Sequence, residues 1–353
     1  MNFIQRYRIR FKNVFHTLLY WEYWPFEFVY LPIFASYLLM VAKTKKWFYF
    51  AAVNPSMLNG GMFGNTKSEM YLLLDPAYVP LFVQIDCQDS ASTIHEKLVS
   101  NHLEFPLMAK PEVGERGYKI QRILDEHALK AYHQQISTQY LLQKWVNMPL
   151  EISIFIYKLP GDDSYTISSI VGKELLSIVG DGQKTIGQLI EDFPRARLQI
   201  SRLYPRWKEK WNQILDKGER LTLTDIANHS KGARFYNLTH HLTSDWNKRI
   251  NQIILNRDGF NYGRFDLRCC DVMDFPNGKP VCIIELNGMG AEPIDMYEEG
   301  IPLSQGISIL LKHWKIQCRI AEAQLAKGIP VPDAKTGFKR FFEYKRLVKH
   351  SYI

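Results

Sequence analysis

Cysteine is scarce in this sequence, with five residues among 353. No two of them form a CxxC pair, which argues against a zinc ribbon, and their irregular spacing argues against a disulfide framework. Cys269 and Cys270 are adjacent, which fits the alternating faces of a strand better than two ligands of one metal. We therefore expect reduced thiols in a cytosolic environment.

The sequence also lacks a Walker A loop and a convincing catalytic triad. The glycine-rich stretch at residues 59–69, NGGMFGNTKSE, misses the Gly-Lys-Ser/Thr ending because Thr66 stands where a glycine is required. This stretch can form a backbone nest for an anion, although a plain flexible connection is the stronger interpretation. His240 and His241 are adjacent and point apart on any regular element, so surface or core histidines are expected rather than a metal site.

The composition excludes a disordered chain, because 46% of the residues are hydrophobic and 13% are aromatic. The formal net charge of +8 is concentrated at the two ends. The first twelve residues carry four basic side chains and no acid, and the last sixteen carry five against one acid. Such basic, aromatic ends are typical of contact with anionic lipid or nucleic acid, although a solvated basic helix explains the C-terminal end equally well.

The segment from Tyr23 to Ala42 favours lipid over nucleic acid. It has one charge, Glu27, and its length is at the lower limit of a membrane span, roughly 20 residues. Two prolines and basic residues on both sides argue against a simple crossing. We expect a kinked helix or re-entrant hairpin in the cytoplasmic leaflet, with a buried hairpin of a globular domain as the alternative.

The residues after this segment predict a small α/β domain that ends near residue 100. Residues 47–53, WFYFAAV, indicate a buried strand, and residues 71–74 and 79–85 indicate two more. Further along, residues 194–224 indicate a basic surface helix in a peripheral insertion.

An apolar strand in the stretch FPLMAKPEVGERGYKI ends with Lys110. Gly114 and Gly117 then shape a turn before a second strand. A lysine beside a glycine-rich hairpin can hold a polyphosphate through its charge and through backbone N–H groups. Such hairpins are common, so this pattern indicates a phosphate site only together with other residues.

Residues 261–293 predict two antiparallel strands with polar side chains on one face. Arg264 and Asp266 share a face of the first strand, and Glu285 and Asn287 share a face of the second. If the strands are neighbours, all four side chains enter one pocket. Carboxylate and amide oxygens are the ligands that Mg²⁺ prefers, and a structural Arg–Asp pair leaves the second strand unexplained. We therefore predict a metal site there.

Seven segments occur in an order that resembles the ATP-grasp ligases, especially the cyanophycin synthetase-like and D-alanine–D-alanine ligase-like branch. They are FPLMAKP, a GxxG loop, LLQKWV, VGDGQKTI, NHSKG, YGRFD and IIELNG. The resemblance implies an α+β protein with an ATP-grasp fold, in which two α+β subdomains grip ATP. We expect an N-terminal membrane-associated helical segment over 1–50, a small α/β domain over 51–100, the ATP-grasp core over 101–300, and a C-terminal helix and basic tail over 301–353.

The resemblance also implies a nucleotide site, residue by residue. Lys110 and Lys173 would contact the phosphates of ATP, and the loop from Gly114 to Gly117 would close over them. Arg264 would stabilise the charge that develops when an acyl phosphate is attacked. The residues around adenine, the ribose and the γ-phosphate would be Gln143, Lys144, Trp145, Val146, Glu151 and Asn228.

The implied metal is Mg²⁺, as two ions held by Asp266, Glu285 and Asn287, with Mn²⁺ as a substitute. The backbone N–H groups of Gly288 and Gly290 are further candidates for binding an oxyanion.

The implied reaction joins a carboxylate to an amine through an acyl phosphate. With the N-terminal segment, this predicts an enzyme on the inner face of the membrane, with substrates that can be lipid-linked, no nucleic-acid partner, and a homodimer as the usual state. An ATP-grasp kinase that phosphorylates a hydroxyl is one alternative. A non-catalytic nucleotide-binding scaffold at the membrane is another.

Overall fold

The computed structural model describes residues 3–114, 117–254 and 259–348. Its helices are α1 Phe3–Leu19, α2 Phe26–Val29, α3 Leu31–Thr44, α4 Lys67–Tyr71, α5 Ala91–Ser100, α6 Glu126–Gln135, α7 Ile186–Asp192, α8 Pro194–Leu198, α9 Ile200–Trp207, α10 Ser244–Ile253, α11 Leu303–Ala326 and α12 Ala334–Val348. Its strands are β1 Phe82–Ile85, β2 Leu107–Pro111, β3 Gln121–Ile123, β4 Tyr140–Lys144, β5 Leu150–Tyr157, β6 Thr166–Glu174, β7 Ser177–Val179, β8 Arg220–Thr222, β9 Arg234–Asn237, β10 Tyr262–Cys269 and β11 Cys282–Asn287. The chain is a mixed α+β protein, as predicted.

Two compact units make up the chain. The first unit comprises Met1–Ala35, Gly172–Tyr236 and Ile294–Leu311, and the second comprises Ser36–Val171, Asn237–Pro293 and Lys312–Ile353. A four-stranded sheet, in the order β1-β4-β2-β3, belongs to the second unit. A five-stranded sheet has the order β11-β10-β5-β6-β9, and the chain passes from one unit to the other within β6 and within β9. The two-stranded sheet β7-β8 belongs to the first unit.

Strand β10 is an inner strand of the five-stranded sheet. It pairs antiparallel with β5 on one side and with β11 on the other. The middle six residues of β5 are all buried. Polar side chains on β10 therefore lie between two neighbouring strands, where Asp266 is buried and Arg264 and Arg268 are partly buried.

The apolar segment near the N-terminus contains separate helices rather than one. Pro25 precedes the first residue of α2, and Pro32 is the second residue of α3. At such positions a proline costs no helical hydrogen bond, because the first N–H groups of a helix have no partner within it. In the described part of the chain, no helix has both the length and the apolar character needed to cross a membrane.

Two of the predicted strands do not form. Tyr49–Ala52, within the run 47–53, forms a buried 3₁₀ helix. Residues 71–74 comprise the last residue of α4, a turn, and a single β-bridge between Leu74 and Ile254. These predictions were wrong, because a short, continuous apolar run has no period that separates strand from helix. A capping box starts α4, since Thr66 Oγ1 accepts a hydrogen bond from the N–H of Glu69, whose side chain accepts from Thr66 in return.

Residues 194–224 contain two short helices, α8 and α9, and the short strand β8. Helix α9 is the basic surface helix that the sequence predicted, with Arg202 and Arg206 exposed, but two other arginines of the segment are buried. Arg195 and Arg197 are each only 7% exposed. Arg195 forms an ion pair with Glu22 at 3.2 Å, and Arg197 donates to Asn13 at 3.1 Å. The acceptors lie more than 170 positions away in the sequence, so the local pattern could not show that these arginines are buried.

Candidate active site

Strands β10 and β11 are antiparallel neighbours, as the sequence predicted. Arg264 lies opposite Asn287, and Asp266 lies opposite Glu285. The register shifts after Asp266, which marks a bulge at this point of β10. Because the two pairs are two positions apart on each strand, the four polar side chains share one face of the sheet.

Asp266 and Arg264 are fixed by hydrogen bonds. The carboxylate of Asp266 is 2% exposed, and its Oδ1 accepts from Ser153 Oγ at 2.5 Å and from Arg264 Nε at 3.1 Å. Arg264 also donates from Nη1 to the carbonyl oxygen of Glu292 at 2.9 Å. Burial opposes the charge of Arg264, but Asp266 and Glu285 outweigh it and raise the pKa of the guanidinium. Arg264 therefore stays a cation in the site.

Glu285 and Asn287 have fewer partners. Within the described residues, the carboxylate of Glu285 has no hydrogen bond or ion pair, and Nδ2 of Asn287 is buried without an acceptor. Carboxylates directly opposite each other repel, which a bound cation would relieve. The buried amide nitrogen also fits a site that takes up an acceptor such as a phosphate oxygen. Asp266, Glu285 and Asn287 thus suit a hard cation with phosphate.

These three residues comprise two carboxylates and one amide. Among the residues that the structure describes, no group of three or more His, Cys, Asp or Glu side chains could hold a metal ion. A cation here would therefore take further ligands from a substrate or from water, as is usual for Mg²⁺.

Lys110 lies near the end of β2, as predicted. It is 7% exposed, and its Nζ donates to the carbonyl oxygen of Ile284 at 3.0 Å. Burial lowers the pKa of Lys110 to about 8, although the neighbouring charge of Glu285 acts in the opposite direction. Lys110 is thus brought next to the predicted metal ligands on β11.

The predicted adenine and ribose residues lie on strands β4 and β5 with partners of their own. The side-chain oxygen of Gln143 accepts from the hydroxyl of Tyr71 at 3.0 Å. Glu151 lies opposite Arg268 and forms an ion pair with it at 2.9 Å. To accept from a ribose hydroxyl, Glu151 would have to share its carboxylate with this arginine.

The segment after Gln143 leaves the sheet. Lys144 is the exposed last residue of β4, and its N–H donates to the carbonyl oxygen of Leu81 at 2.8 Å. The guanidinium of Arg122 lies over the ring of Trp145, 4.5 Å from its centre. Val146 follows in an irregular segment and is partly buried.

The remaining predicted residues are spread over both units. In the second unit, Gly114 and Gly117 flank residues 115–116, which lie outside the described residues. In the first unit, Lys173 is on β6, and Oδ1 of Asn228 accepts from the N–H and the hydroxyl of Ser230, both at 2.9 Å.

The expectation for the backbone of Gly290 was wrong. Its N–H donates to the carbonyl oxygen of Gly61 at 3.1 Å, and the N–H of Met289 donates to Gly60 at 3.0 Å. The segment after β11 is therefore hydrogen-bonded to the glycine-rich loop, and the Gly290 N–H is not available for an oxyanion.

Asn54 is a residue that the sequence did not single out. It is fully buried, and its Nδ2 donates to the carbonyl oxygens of Gly60 at 2.9 Å and Tyr262 at 2.8 Å. Its Oδ1 accepts from the N–H groups of Asn261 at 2.8 Å and Tyr262 at 3.0 Å. Asn54 thus ties the glycine-rich loop to the start of β10. The polar Asn-Pro pair after an apolar run was the available signal.

No family model matches the sequence, and neither does any curated protein. Many solved structures are similar to the chain, among them the following three. A bifunctional glutathione synthetase from Pasteurella multocida is 17% identical over 72% of this chain and 39% of that one, with a TM-score of 0.38. VanG D-Ala:D-Ser ligase from Enterococcus faecalis is 14% identical over 72% and 62%, with a TM-score of 0.39. Carboxyaminoimidazole ribonucleotide synthase from Aspergillus clavatus, complexed with ATP, is 11% identical over 79% and 55%, with a TM-score of 0.41.

All three are at most 17% identical to the chain, and their TM-scores do not exceed 0.41. The chain spans between 39% and 62% of their length. TM-scores below 0.5 decide neither fold nor function, so the assignment of an activity depends on the geometry of the site.

Proposed function

We propose that the chain is an ATP-dependent ligase of the ATP-grasp type, which joins a carboxylate to an amine and releases ADP. The observation that carries this proposal is the pairing of β10 with β11. It puts Arg264, Asp266, Glu285 and Asn287 on one face, with the ammonium of Lys110 beside them. The order of the seven sequence segments supports the same function.

Asp266, Glu285 and Asn287 would hold Mg²⁺ in this enzyme. Bound there, Mg²⁺ would neutralise the charge on phosphate oxygens. The residues of the chain itself act by charge and position: Lys110 binds phosphate, and Arg264, held by Asp266 and a backbone carbonyl, stabilises charge on the reacting acyl group. Ser153 keeps the carboxylate of Asp266 in place.

In the proposed reaction, a carboxylate oxygen of the substrate attacks the γ-phosphorus of ATP, and ADP leaves. An amine then attacks the carbonyl carbon of the acyl phosphate, inorganic phosphate leaves, and the amine loses a proton. This scheme needs no covalent nucleophile from the protein, because the chain only has to align the reactants and stabilise charge.

The test is Mg²⁺-dependent ATP turnover with membrane-extract substrates, with ADP and phosphate scored separately. We expect ADP and phosphate to form together in the wild type and turnover to be lost in Glu285→Ala. Glu104→Ala, which removes an exposed carboxylate of the same unit, serves as the control and should match the wild type. ADP without phosphate would instead identify a kinase, and ATP binding without turnover on any carboxylate–amine pair would favour a scaffold.

We also propose that the first unit binds the cytoplasmic face of a membrane that contains anionic lipids. The ligase would meet lipid-linked substrates there. Trp24, Phe26 and Phe28 are 38%, 51% and 69% exposed, and Arg8 and Arg10 on α1 are exposed too. Exposed aromatic side chains together with basic ones are typical of helices that lie in a membrane interface.

Flotation with phosphatidylglycerol vesicles tests this part. We expect the wild type to float with these vesicles and the double variant Phe26→Ser/Phe28→Ser to stay at the bottom. Leu124→Ser is a control, since Leu124 is 60% exposed in the second unit. Equal flotation of the wild type and the double variant would contradict the proposal.

A further inference from the structure

One side of helix α12 packs on the second unit. Gly337 lies so close to the ring of Phe48 that a Cβ at this glycine would clash with it. Further along the helix, Tyr344 and Val348 are 7% and 1% exposed. Because Gly337, Tyr344 and Val348 are seven and four positions apart, they lie on one face of the helix. This face accounts for the attachment of α12 to its own unit.

A second side of α12 carries aromatic and basic side chains into solvent. Phe338 and Phe342 are four positions apart and are 40% and 59% exposed. Four exposed basic residues lie three or four positions from one of these two rings, and they are Lys335, Lys339, Lys345 and Arg346. The one acid on the helix is Glu343. This side of α12 is therefore both apolar and strongly positive.

The segment that follows α3 continues this surface. Trp47 is 43% exposed, and the centre of its ring lies 5.9 Å from that of Phe338. Lys45 and Lys46 precede Trp47 and are exposed as well. Two distant parts of the sequence thus build one surface within the second unit. We call it the α12 surface, and it consists of Lys45, Lys46, Trp47, Lys335, Phe338, Lys339, Phe342, Lys345 and Arg346.

Solvation explains the charges of the α12 surface but not its aromatic rings. Exposed apolar rings cost free energy in water, and a group of them marks a contact with another molecule. Among the residues that the structure describes, Lys339 and Arg346 form no ion pair with a carboxylate. An anionic bilayer meets both needs, because its phosphates attract the basic side chains and its interface takes up aromatic rings. Duplex nucleic acid would neutralise the charges and leave the rings in water.

We propose that the α12 surface binds the headgroups of anionic phospholipids at a bilayer surface. This surface belongs to the second unit, whereas the membrane contact proposed above involves Trp24, Phe26 and Phe28 of the first unit. Stable attachment usually takes two such contacts, because each one alone binds weakly and reversibly. A protein with one contact therefore binds at equilibrium and dissociates when the lipid is diluted during flotation.

Equilibrium co-sedimentation of the full chain with sucrose-loaded vesicles tests the proposal. The vesicles contain phosphatidylglycerol and phosphatidylcholine in equal parts, or phosphatidylcholine alone. Lys339→Gln/Arg346→Gln should bind the anionic vesicles about 25-fold more weakly, because each basic residue near such a surface contributes about fivefold. At about 1 M salt this difference should be small, because charges are then screened within about 3 Å. Phe338→Ser/Phe342→Ser should bind about tenfold more weakly at every salt concentration.

Two control variants change the same kinds of side chain elsewhere in the second unit. Lys130→Gln/Lys248→Gln removes two exposed positive charges, and Val99→Ser/Leu124→Ser removes two exposed apolar side chains. Both should bind the vesicles like the wild type. Because all the changed residues are exposed, the melting temperature should stay close to that of the wild type in each variant.

The same titration separates the two membrane contacts. Phe26→Ser/Phe28→Ser should keep a weak affinity for the anionic vesicles, and adding Lys339→Gln/Arg346→Gln to it should abolish that affinity. If Phe26→Ser/Phe28→Ser binds no vesicles at equilibrium, the α12 surface makes no contact of its own and the proposal fails. The contact of the first unit is then unaffected.

Three further results would overturn the proposal. The first is wild-type affinity for the anionic vesicles in both α12 variants. The second is a single-stranded oligonucleotide that binds the wild type and is lost in both α12 variants, without vesicle binding, which would assign the surface to nucleic acid. The third is a dimer in sedimentation that is lost in Phe338→Ser/Phe342→Ser with vesicle affinity unchanged, which would assign it to a second copy of the chain.

Discussion

Asp266 and Glu285 face each other as a direct cross-strand pair between β10 and β11. Like charges in this position destabilise a sheet by up to about 1 kcal/mol. Ser153 and Arg264 donate hydrogen bonds to Asp266, whereas Glu285 has no hydrogen bond within the described residues. The charge of Glu285 favours the protonated forms of Arg264 and Lys110, which offsets part of this repulsion. A bound cation would give the carboxylate of Glu285 a direct partner.

The first prediction concerns Glu285→Gln. Removing this charge relieves the repulsion from Asp266 but also removes the attraction to Arg264 and Lys110, so we expect little net change in the stability of the metal-free protein. The same change should abolish the stabilisation that added Mg²⁺ gives the wild type, because a ligand of the ion is lost. Thermal unfolding with and without Mg²⁺ measures both effects, with Glu104→Gln as the control. A Mg²⁺-dependent rise in melting temperature that persists in Glu285→Gln would refute the metal site.

The second prediction is a pH dependence of anion binding. Because the pKa of Lys110 is lowered to about 8, its ammonium is charged below that pH and neutral above it. Affinity for ADP should therefore fall as the pH rises from 7 to 9. In Lys110→Arg the charge persists throughout this range, so the fall should be smaller. Calorimetric titrations at pH 7, 8 and 9 give the comparison, and equal slopes in both proteins would show that Lys110 does not contact the phosphates.

The third prediction concerns the contact between the glycine-rich loop and the segment after β11. Gly61 has φ +81°, and a Cβ there would lie 2.7 Å from Cα of Gly288. Gly61→Ala adds this clash to the cost of a left-handed residue, about 1 to 2 kcal/mol. Gly161 has φ +91° with nothing within 4 Å of an added Cβ, so Gly161→Ala carries the conformational cost alone.

Urea unfolding should therefore show a larger loss of stability for Gly61→Ala than for Gly161→Ala. ATP turnover should also fall in Gly61→Ala, because the added methyl group displaces the segment after Asn287. Equal losses of stability in both variants would mean that the glycine-rich loop changes conformation to accommodate the methyl group and leaves β11 undisturbed.

The polar face of β10 and β11 could be predicted because it depends on a local rule. Side chains two positions apart share a face, so the spacing of Arg264 from Asp266 and of Glu285 from Asn287 was sufficient once the strands were taken as neighbours. The position of Lys110 near the end of an apolar strand could also be predicted from the local sequence.

The missed features depend on contacts between distant residues. The start of α4 is held by the buried carboxylate of Glu112, which accepts two hydrogen bonds from Ser68, 44 positions away in the sequence. Asn54 acts through Tyr262, 208 positions away. The helices at residues 49–52 and 67–71 carry no clear period, because they are only four and five residues long.

The last prediction concerns His313, which lies in the core of the second unit. It is 3% exposed, its Nδ1 is 3.0 Å from the hydroxyl of Tyr262, and its ring packs edge-on against Phe155. Burial, helped by the charge of Lys312, lowers the pKa of His313 from 6.5 to about 3. Between these values the unfolded chain binds a proton that the folded chain does not, so stability is lost as the pH falls from 6.5 towards 3.

His313→Gln removes this titration while keeping a polar group for Tyr262. The variant should start less stable at pH 7, because the aromatic packing against Phe155 is lost. Its free energy of unfolding should then fall less steeply with acid, by at most about 1.4 kcal/mol per pH unit relative to the wild type. Urea unfolding at pH 7, 6, 5 and 4 measures the two slopes, with His95→Gln as the control because the side chain of His95 is 66% exposed. Parallel curves for the wild type and His313→Gln would show that His313 is protonated in the folded protein without cost, contrary to its burial.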